Sequence, residues 1–363
     1  MKTTELQQLM SKHSWSSKLK GVNPQPIRAS LDGLVETSYL EPESCLPLVV
    51  KPHLVDLDLP GWAGDNAEFI ETNLSKHGGL LFRGFAVKTQ ADFERFLEAI
   101  CPRLMSYMEG ATPRTRLSEK VYTSTEFPPD HSIALHNELT YVTTFPMKIW
   151  FFCVSPAAQG GATPIGDVRR VFQRIPQEIK DLFLKKGGWM LVRNYGKGFG
   201  PSWKNAYHTT DRDGAEAYFR AAGIEFEWGD GERLRTRQVR PAVATHPKTG
   251  DQVWFNHVAF WHVSSLEPKL REMFLAEFKE EDLPYNTYYG DGSLIEDSVV
   301  EVLREAYRQE TVIFDWQEGD ILMLDNMLVA HGRTPFAGPR RVLVAMGEPW
   351  SRIDCAPLGD GRQ

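Results

Sequence analysis

The 363-residue chain lacks several features that would each indicate a class of protein. It has only four cysteines, none of them in a C-x-x-C pair, which argues against a structural zinc site and against a redox motif. No Lys/Arg-rich run appears and the formal net charge is −7, so the attraction that drives nucleic-acid binding is missing. No stretch approaches about 18 consecutive apolar residues, and the first residues lack the apolar segment of a secretory signal. These absences predict a cytoplasmic protein without nucleic-acid or membrane partners.

What is present is the composition of a globular protein with a large core, since 42% of the residues are hydrophobic and 25% are charged. Helices are predicted at residues 67–77 and 90–101, and strands at 46–50 and 79–85. Further along, short apolar runs are separated by Gly and Pro, as in a sandwich or jelly roll. These runs are residues 133–139, 147–154, 311–316, 320–324 and 341–346.

A long stretch at about 168–310 separates the two groups of strand-like runs. Helices are expected from Val168 and around residues 214–222, 267–280 and 295–309, together with a Gly-rich and aromatic loop at 194–208. The runs on either side are too few to close separate sheets. We therefore interpret residues 1–363 as a single domain with a helical and loop insertion.

Three residues have the spacing of a metal site. His136 and Glu138 are two apart on a predicted strand, so both side chains leave the same face. His331 follows a second apolar strand and offers a third ligand. Two histidines and one carboxylate on one side of iron(II) leave positions open for a chelating co-substrate and dioxygen.

Other histidines compete for this role because H-x-E alone is a short motif. His131 is five residues before His136, so on a regular strand it would leave the opposite face. His246 is a further competitor. His257 and His262 are interpreted as core histidines with internal hydrogen-bond partners, or as neighbours of the ligands.

Four elements occur in an order that resembles the taurine dioxygenase-like iron(II)/2-oxoglutarate oxygenases. They are His136-Asn137-Glu138, Gly160-Gly161-Ala162-Thr163, His331 and Pro339-Arg340-Arg341. Within that family, residues from about 40 to 350 are most similar to the syringomycin-type hydroxylases of non-ribosomal peptide pathways. The resemblance implies a mainly β fold with α insertions, namely a double-stranded β-helix (jelly-roll, clavaminate synthase-like) core flanked by helices. It also implies Fe(2+), 2-oxoglutarate and dioxygen.

The resemblance assigns 2-oxoglutarate to Thr163 and Arg341. A guanidinium pairs bidentately with the distal carboxylate, and a threonine hydroxyl adds one hydrogen bond. Arg340 and Arg341 alternate faces on the last strand, so only one of them can point inward. Arg341 is expected to do so, in alternation with Leu343 and Ala345, while Arg340 is expected at the surface.

Departures from the family pattern bear on the substrate. Related halogenases replace the carboxylate ligand with a small residue, so Glu138 favours hydroxylation. Taurine-type enzymes carry another arginine at the position of Ala345, so a sulfonate substrate is not expected. The resemblance implies hydroxylation of an amino acid at Cβ, in specialised peptide biosynthesis. The amino acid is either free or linked to a peptidyl carrier protein.

The substrate is expected between the metal, the loop at 124–130 and the insertion. Asn137, Arg193, Arg235 and Arg237 are candidate anchors, and the Gly-rich segment 196–200 is a candidate lid. In the preferred interpretation the four arginines within 233–240 form a charged strand edge or a set of surface pairs. The alternative is a site for a substrate carboxylate or for the acidic surface of a carrier protein.

Alternatives remain at the level of function. A non-catalytic jelly-roll binding protein would be expected to lack a ligand or the co-substrate arginine. A zinc hydrolase would not need Thr163 and the arginine at their positions. A catabolic taurine-like dioxygenase, or a desaturase acting on a free small acid, shares the same metal chemistry and stays open.

Overall fold

The computed structural model describes residues 33–40, 45–105, 115, 117–118, 121–124, 127–196 and 202–352. The predicted lid beyond Gly196, the polar N-terminal segment and Cys355 lie outside these residues. Leu34–Gln363 forms one compact unit and Met1–Gly33 another, so the interpretation of the whole chain as one domain stays a prediction. Within the described part, no helix is long and apolar enough to cross a membrane.

The larger sheet of the core has seven strands. In spatial order they are β1 (Val35–Tyr39), β2 (Leu48–Pro52), β3 (Gly79–Phe82), β16 (Ile321–Asp325), β6 (Thr144–Ser155), β19 (Arg341–Ser351) and β4 (Val121–Thr123). Only the β2–β3 pair is parallel among these neighbours. Both faces of the central strands β3, β16 and β6 are buried, which explains why these strands read as continuous apolar runs, whereas the edge strand β1 is mostly exposed.

The smaller sheet lies against one face of the larger one and carries the candidate site. Its antiparallel strands, in spatial order, are β15 (Thr311–Val312), β8 (Ile165–Asp167), β17 (Val329–Arg333) and β5 (Ile133–His136). A short ladder joins β7 (Gln159–Gly160) to β18 (Phe336–Ala337). Phe151 and Val344 of the larger sheet share a core cluster with Ile165 and Val329 of the smaller one. The predicted jelly-roll core is confirmed.

Helices cover the other face of the larger sheet. They are α1 (Leu59–Asp65), α2 (Ala67–His77) and α3 (Gln90–Ile100). Thr89 begins α3 through a capping box with Asp92. Phe93 stacks on Phe152 with ring centroids 5.2 Å apart, and Phe96 is fully buried. The predicted helices at 67–77 and 90–101 are thereby confirmed, the second to within one residue.

The stretch at 168–310 contains more strand than the sequence predicted. Its helices are α4 (Val168–Arg174), α5 (Gln177–Lys185), α6 (Trp203–Ala206), α7 (Arg212–Ala221), α8 (Val258–Trp261), α9 (Pro268–Glu277) and α10 (Asp297–Gln309), with 3₁₀ turns at Val263–Ser265 and Glu280–Asp282. Its antiparallel sheet has the order β10 (Glu225–Trp228), β11 (Leu234–Arg240), β9 (Trp189–Tyr195), β14 (Tyr285–Tyr289). A hairpin joins β12 (Val243–Thr245) to β13 (Gln252–Trp254). The predicted helices are present, but a helical and loop insertion is an incomplete description.

Replacing Phe96 with Ala should lower the free energy of unfolding by about 3–5 kcal/mol, because it removes a fully buried ring between α3 and the sheet. Leu184→Ala is the control, since that side chain is 76% exposed. Urea denaturation followed by circular dichroism measures both changes. Equal effects of the two substitutions would contradict the packing described for α3.

Candidate metal centre

The three predicted ligands meet at one end of the smaller sheet. His136 ends β5 and lies directly opposite His331, which is in the middle of β17. The two imidazole centroids are 4.6 Å apart, and Glu138 Oε2 is 3.8 Å from His331 Nε2. One ligand atom from each residue lies within 4.8 Å of the other two. This spacing fits a single metal ion bound by all three side chains.

The local structure prepares these side chains to be ligands. Glu138 and His331 are each 4% exposed, so the carboxylate is largely removed from water and close to imidazole nitrogen. His136 Nδ1 lies 2.9 Å from the carbonyl oxygen of Ala134. Since a carbonyl only accepts, Nδ1 carries the proton and Nε2 keeps its lone pair for a metal.

The competing histidines have other partners. His246 Nε2 is 3.0 Å from Asp325 Oδ2, and His262 Nε2 is 3.1 Å from the carbonyl of Ile295. Burial lowers the pKa of His262 to about 4. His131 is exposed beside Asp130. The expectation that these residues are not ligands agrees with the geometry.

His257 lies closest to the triad among the other histidines. Its ring centroid is 5.7 Å from that of His136, and its Nδ1 faces the Thr140 hydroxyl. Complete burial, followed by the nearby His136, lowers the pKa of His257 well below its ordinary value. His257 is therefore a neutral side chain packed behind a ligand.

A pocket extends from the triad into the core. Its lining residues are Ser124, Ile133, His136, Phe151, Thr163, His331, Gly332, Arg333 and Arg340. Thr163 is 2% exposed and accepts a hydrogen bond from Trp316 Nε1 at 3.0 Å. Because the indole can only donate, the Thr163 hydroxyl proton remains available to an acceptor in the pocket.

Arg340, and not Arg341, contributes the guanidinium of this pocket. Arg340 Nε donates to the carbonyl of Gly161 at 2.9 Å, and Nη1 donates to Ser124 Oγ at 3.3 Å. Burial, followed by the positive charge of Arg333, lowers the pKa of Arg340 to about 10. An anion bound here would relieve this penalty because it favours the charged form.

The prediction that Arg341 points inward is wrong, since its side chain is exposed. Val342 and Val344 face the smaller sheet, whereas Leu343 and Ala345 pack toward the helices. Arg340 is in phase with Val342, so it falls on the pocket side. A register shift between Arg341 and Val342 marks the start of regular pairing with β6. Ala345 also faces the helices, so it does not occupy the position of the second arginine of taurine-type enzymes. The inward residue four positions after Arg340 is Val344, which offers no positive charge to a sulfonate.

Three of the predicted substrate anchors have other contacts. Asn137 is fully buried, and its amide donates to the carbonyl of Asn326. Arg235 donates to Asn194 Oδ1 and pairs with Asp282, while Arg237 lies opposite Glu225 in the sheet register. The interpretation of the arginine run as a strand edge is wrong, because β11 is paired with β10 on one side and β9 on the other. The ion pair of Arg235 with Asp282 agrees with the alternative of surface pairs.

Arg193 has a different environment. It is 4% exposed, and its guanidinium carbon lies 5.1 to 6.0 Å from the ring centroids of Tyr141, Tyr195 and Trp261. Tyr141 and Trp261 in turn contact His257, the histidine behind His136. Two layers therefore separate this buried cation from His136: the rings of Tyr141 and Trp261, and then His257.

Two residues of the site escaped the sequence analysis. Arg333 lies two after His331 on the same strand and donates to the carbonyls of Phe127, Pro128 and His131. The H-x-R spacing could have predicted that Arg333 lies beside His331, since alternate residues of a strand share a face. Asn326 contacts the backbone of Glu138, and nothing in the sequence marks that contact.

A jelly roll with a His-Glu-His triad, of which Glu138 and His331 are buried, beside an arginine-containing pocket defines a class of metal-dependent oxygenases. Residues 42–346 match the family described as "Taurine catabolism dioxygenase TauD, TfdA family", and the chain belongs to this family. It is an enzyme, an iron(II)- and 2-oxoglutarate-dependent dioxygenase that acts on a small molecule with dioxygen, as the motifs predicted.

Individual relatives agree with this membership. The dapdiamide synthesis protein DdaC of Enterobacter agglomerans is 39% identical over 280 residues, covering 77% of this chain and 85% of DdaC. A clavaminate synthase-like protein of Arabidopsis thaliana is 30% identical over 317 residues, covering 83% of this chain and 93% of that protein. The crystal structure of PvcB from Pseudomonas aeruginosa shares the fold with a TM-score of 0.51 and 18% identity, covering 86% of this chain and 90% of PvcB.

Replacing His331 with Ala should abolish high-affinity binding of Mn(II), a substitute for iron(II), because the remaining two ligands cannot complete the face. His131→Ala is the matched control, since this exposed histidine lies near the same motif. Electron paramagnetic resonance titration of free Mn(II) measures both affinities. Unchanged binding by the His331 variant would rule out the triad as the metal site.

Proposed function

We propose that this dioxygenase hydroxylates an unactivated carbon, Cβ, of an amino acid in specialised peptide biosynthesis in the cytoplasm. The observation that carries the proposal is the intact triad, in which Glu138 lies 3.8 Å from His331 beside a pocket for an anionic co-substrate. A carboxylate ligand leaves no position for a halide, which favours hydroxylation. The similarity to a dapdiamide synthesis protein supports a biosynthetic role.

His136, Glu138 and His331 would hold the iron on one face. When bound with 2-oxoglutarate and dioxygen, iron supplies the oxidising power that replaces a C–H bond by C–OH. Phe151 packs against the His331 ring with centroids 5.0 Å apart, and Phe260 packs against His136 at 4.8 Å. These apolar walls exclude water from the ligands and strengthen the electrostatic interactions between them.

Arg340 and Thr163 are proposed to bind the distal carboxylate of 2-oxoglutarate. Both line the pocket that begins at the triad, and Thr163 has a hydroxyl proton to donate. Arg333 is close enough to Arg340 to lower its pKa, so two positive charges act on the same pocket. A dicarboxylate that chelates the metal at one end would meet this positive potential at its other end.

The amino-acid substrate is proposed to bind at the metal, between the triad, the loop at 127–131 and the insertion. Arg333 fixes the segment at 127–131 through three carbonyl groups, which places this loop beside the pocket. Arg193 is the remaining candidate anchor for a substrate carboxylate, because it is a buried cation on the side of His257 that faces away from His136, behind Tyr141 and Trp261. The inward position four residues after Arg340 is the apolar Val344, which disfavours a sulfonate at that position.

Arg340→Ala should raise the KM for 2-oxoglutarate roughly ten- to a hundred-fold, because losing a charged hydrogen-bond partner costs about 1.5–3 kcal/mol. Mn(II) affinity should stay close to that of the unmodified protein. Arg341→Ala is the matched control, since its side chain is exposed. Steady-state kinetics at varied 2-oxoglutarate separates the two variants. The reverse order of effects would show that Arg341 holds the co-substrate.

The same amino acids should be supplied free and as thioesters on a carrier protein, at matched concentrations. Mass spectrometry of the products should show one added oxygen atom, and deuterium at Cβ should be lost from the position that reacts. Loss of two hydrogens without added oxygen would identify a desaturase. Conversion of the free acid alone would exclude carrier delivery and leave the oxygenase assignment unchanged.

A further inference from the structure

We propose that Asn326 is a positioning residue of the metal centre, because its side-chain amide brackets the backbone of the ligand Glu138. The proposal rests on the triad assignment above. Asn326 lies in the turn between β16 and β17 and is fully buried. It does not line the pocket, so its effect on chemistry would have to pass through Glu138.

Both polar groups of the Glu138 backbone are bonded to this one amide. The Glu138 N–H donates to Asn326 Oδ1 at 2.7 Å, and Asn326 Nδ2 donates to the Glu138 carbonyl at 3.0 Å. The same Nδ2 donates to the carbonyl of Pro146 on β6 at 2.8 Å. The ligand is thereby attached to the turn and to the larger sheet together. Only a side-chain amide can accept one of these bonds and donate the other two.

The contact is reciprocal. Asn137, between the two ligands of the motif, donates through Nδ2 to the backbone carbonyl of Asn326 at 2.7 Å. Asn137 is also fully buried. Consecutive residues of the His136–Glu138 segment therefore bind the side chain and the backbone of one asparagine. We call these four hydrogen bonds the asparagine clamp.

The turn that carries Asn326 is itself held firmly. Asp325 Oδ1 accepts from the N–H groups of Met327 and Leu328, at 2.9 and 3.1 Å. The other carboxylate oxygen of Asp325 bonds to His246. β17 begins immediately after this turn and carries His331. The clamp therefore fixes Glu138 relative to the strand that supplies another ligand.

Glu138 needs such a restraint because the chain turns sharply after it. Leu139 has a φ of 57°, in the left-handed region that a bulky side chain rarely adopts. β5 has already ended at His136, so the strand ladder does not hold Glu138. Without the clamp, the peptide between Glu138 and Leu139 could relax and move the carboxylate away from the histidines.

Asn326→Asp is the sharpest test, because it retains the shape and an acceptor for Glu138 N–H but loses both donated bonds. We expect the Mn(II) dissociation constant to rise roughly 10- to 100-fold, as for other residues that orient metal ligands. An added negative charge near a cation would by itself tighten binding, so weaker binding identifies lost positioning. The Co(II) absorption spectrum should also change, since it reports ligand geometry.

Met323→Ala is the control for simple destabilisation. Met323 is fully buried on β16, three residues earlier, and faces the helices on the far side of the larger sheet. This variant should lower the melting temperature while leaving Mn(II) affinity and the Co(II) spectrum unchanged. Asn137→Ala removes the hydrogen bond that Asn137 donates to the carbonyl of Asn326, and it replaces Asn326→Asp as the test if that variant does not fold. It should also weaken Mn(II) binding.

Two results would overturn the proposal in distinguishable ways. If the clamp variants bind Mn(II) as tightly as Met323→Ala at a similar melting temperature, Asn326 has only a structural role and the triad stands. If the unmodified protein does not bind Mn(II), or His331→Ala binds it equally well, the triad assignment fails and the clamp has no ligand to position.

Discussion

The pairing of β17 with β5 is the constraint on which the site depends. It places His331 directly opposite His136, on strands that are almost 200 residues apart along the chain. Backbone hydrogen bonds to β8 on the other side of β17 fix that strand against sliding. A slip of one residue would turn His331 to the opposite face and separate the ligands. The metal geometry is therefore a direct consequence of β-sheet register.

The larger sheet provides the rigid support for this register because both faces of its central strands are buried. Phe93 and Phe96 of α3 pack on one face, while Phe151 reaches through the opposite face to the His331 ring. Such double burial also removes the alternation of polar and apolar residues from the strand sequences. In β19 every residue from Val342 to Met346 is buried. The sequence alone therefore could not show whether the even-numbered or the odd-numbered residues of this strand face the pocket. For this physical reason the apolar pattern of the strand does not distinguish Arg340 from Arg341.

The convergence of the three candidate ligands was predictable because metal chemistry demands specific residue types at a strand spacing, as His136 and Glu138 show. The jelly roll was predictable from its short apolar runs, and the resemblance of the Gly-Gly-x-Thr turn pointed to Thr163, which lines the pocket. Asn326 was not, because its role depends on backbone atoms of Glu138 that are distant in sequence. The roles of Arg235 and Arg237 were uncertain for a related reason. A charged residue on a strand looks the same whether it meets a substrate or, as Arg235 does here, an internal partner such as Asp282.

Electrostatics divides the centre into two unlike halves. On the side of the arginine pocket, Arg333 and Arg340 both lie over the ring of Phe336, at 5.1 and 5.5 Å, and burial lowers the pKa of each guanidinium. Two cations close together in an apolar setting repel one another, and a carboxylate bound between them would offset this repulsion. On the ligand side, Glu138 supplies the single negative charge of the triad, and His257 is kept neutral behind His136. A divalent metal would balance the negative charge of Glu138, and a dianionic chelator would balance the metal and the two arginines. Binding of each should therefore strengthen binding of the other.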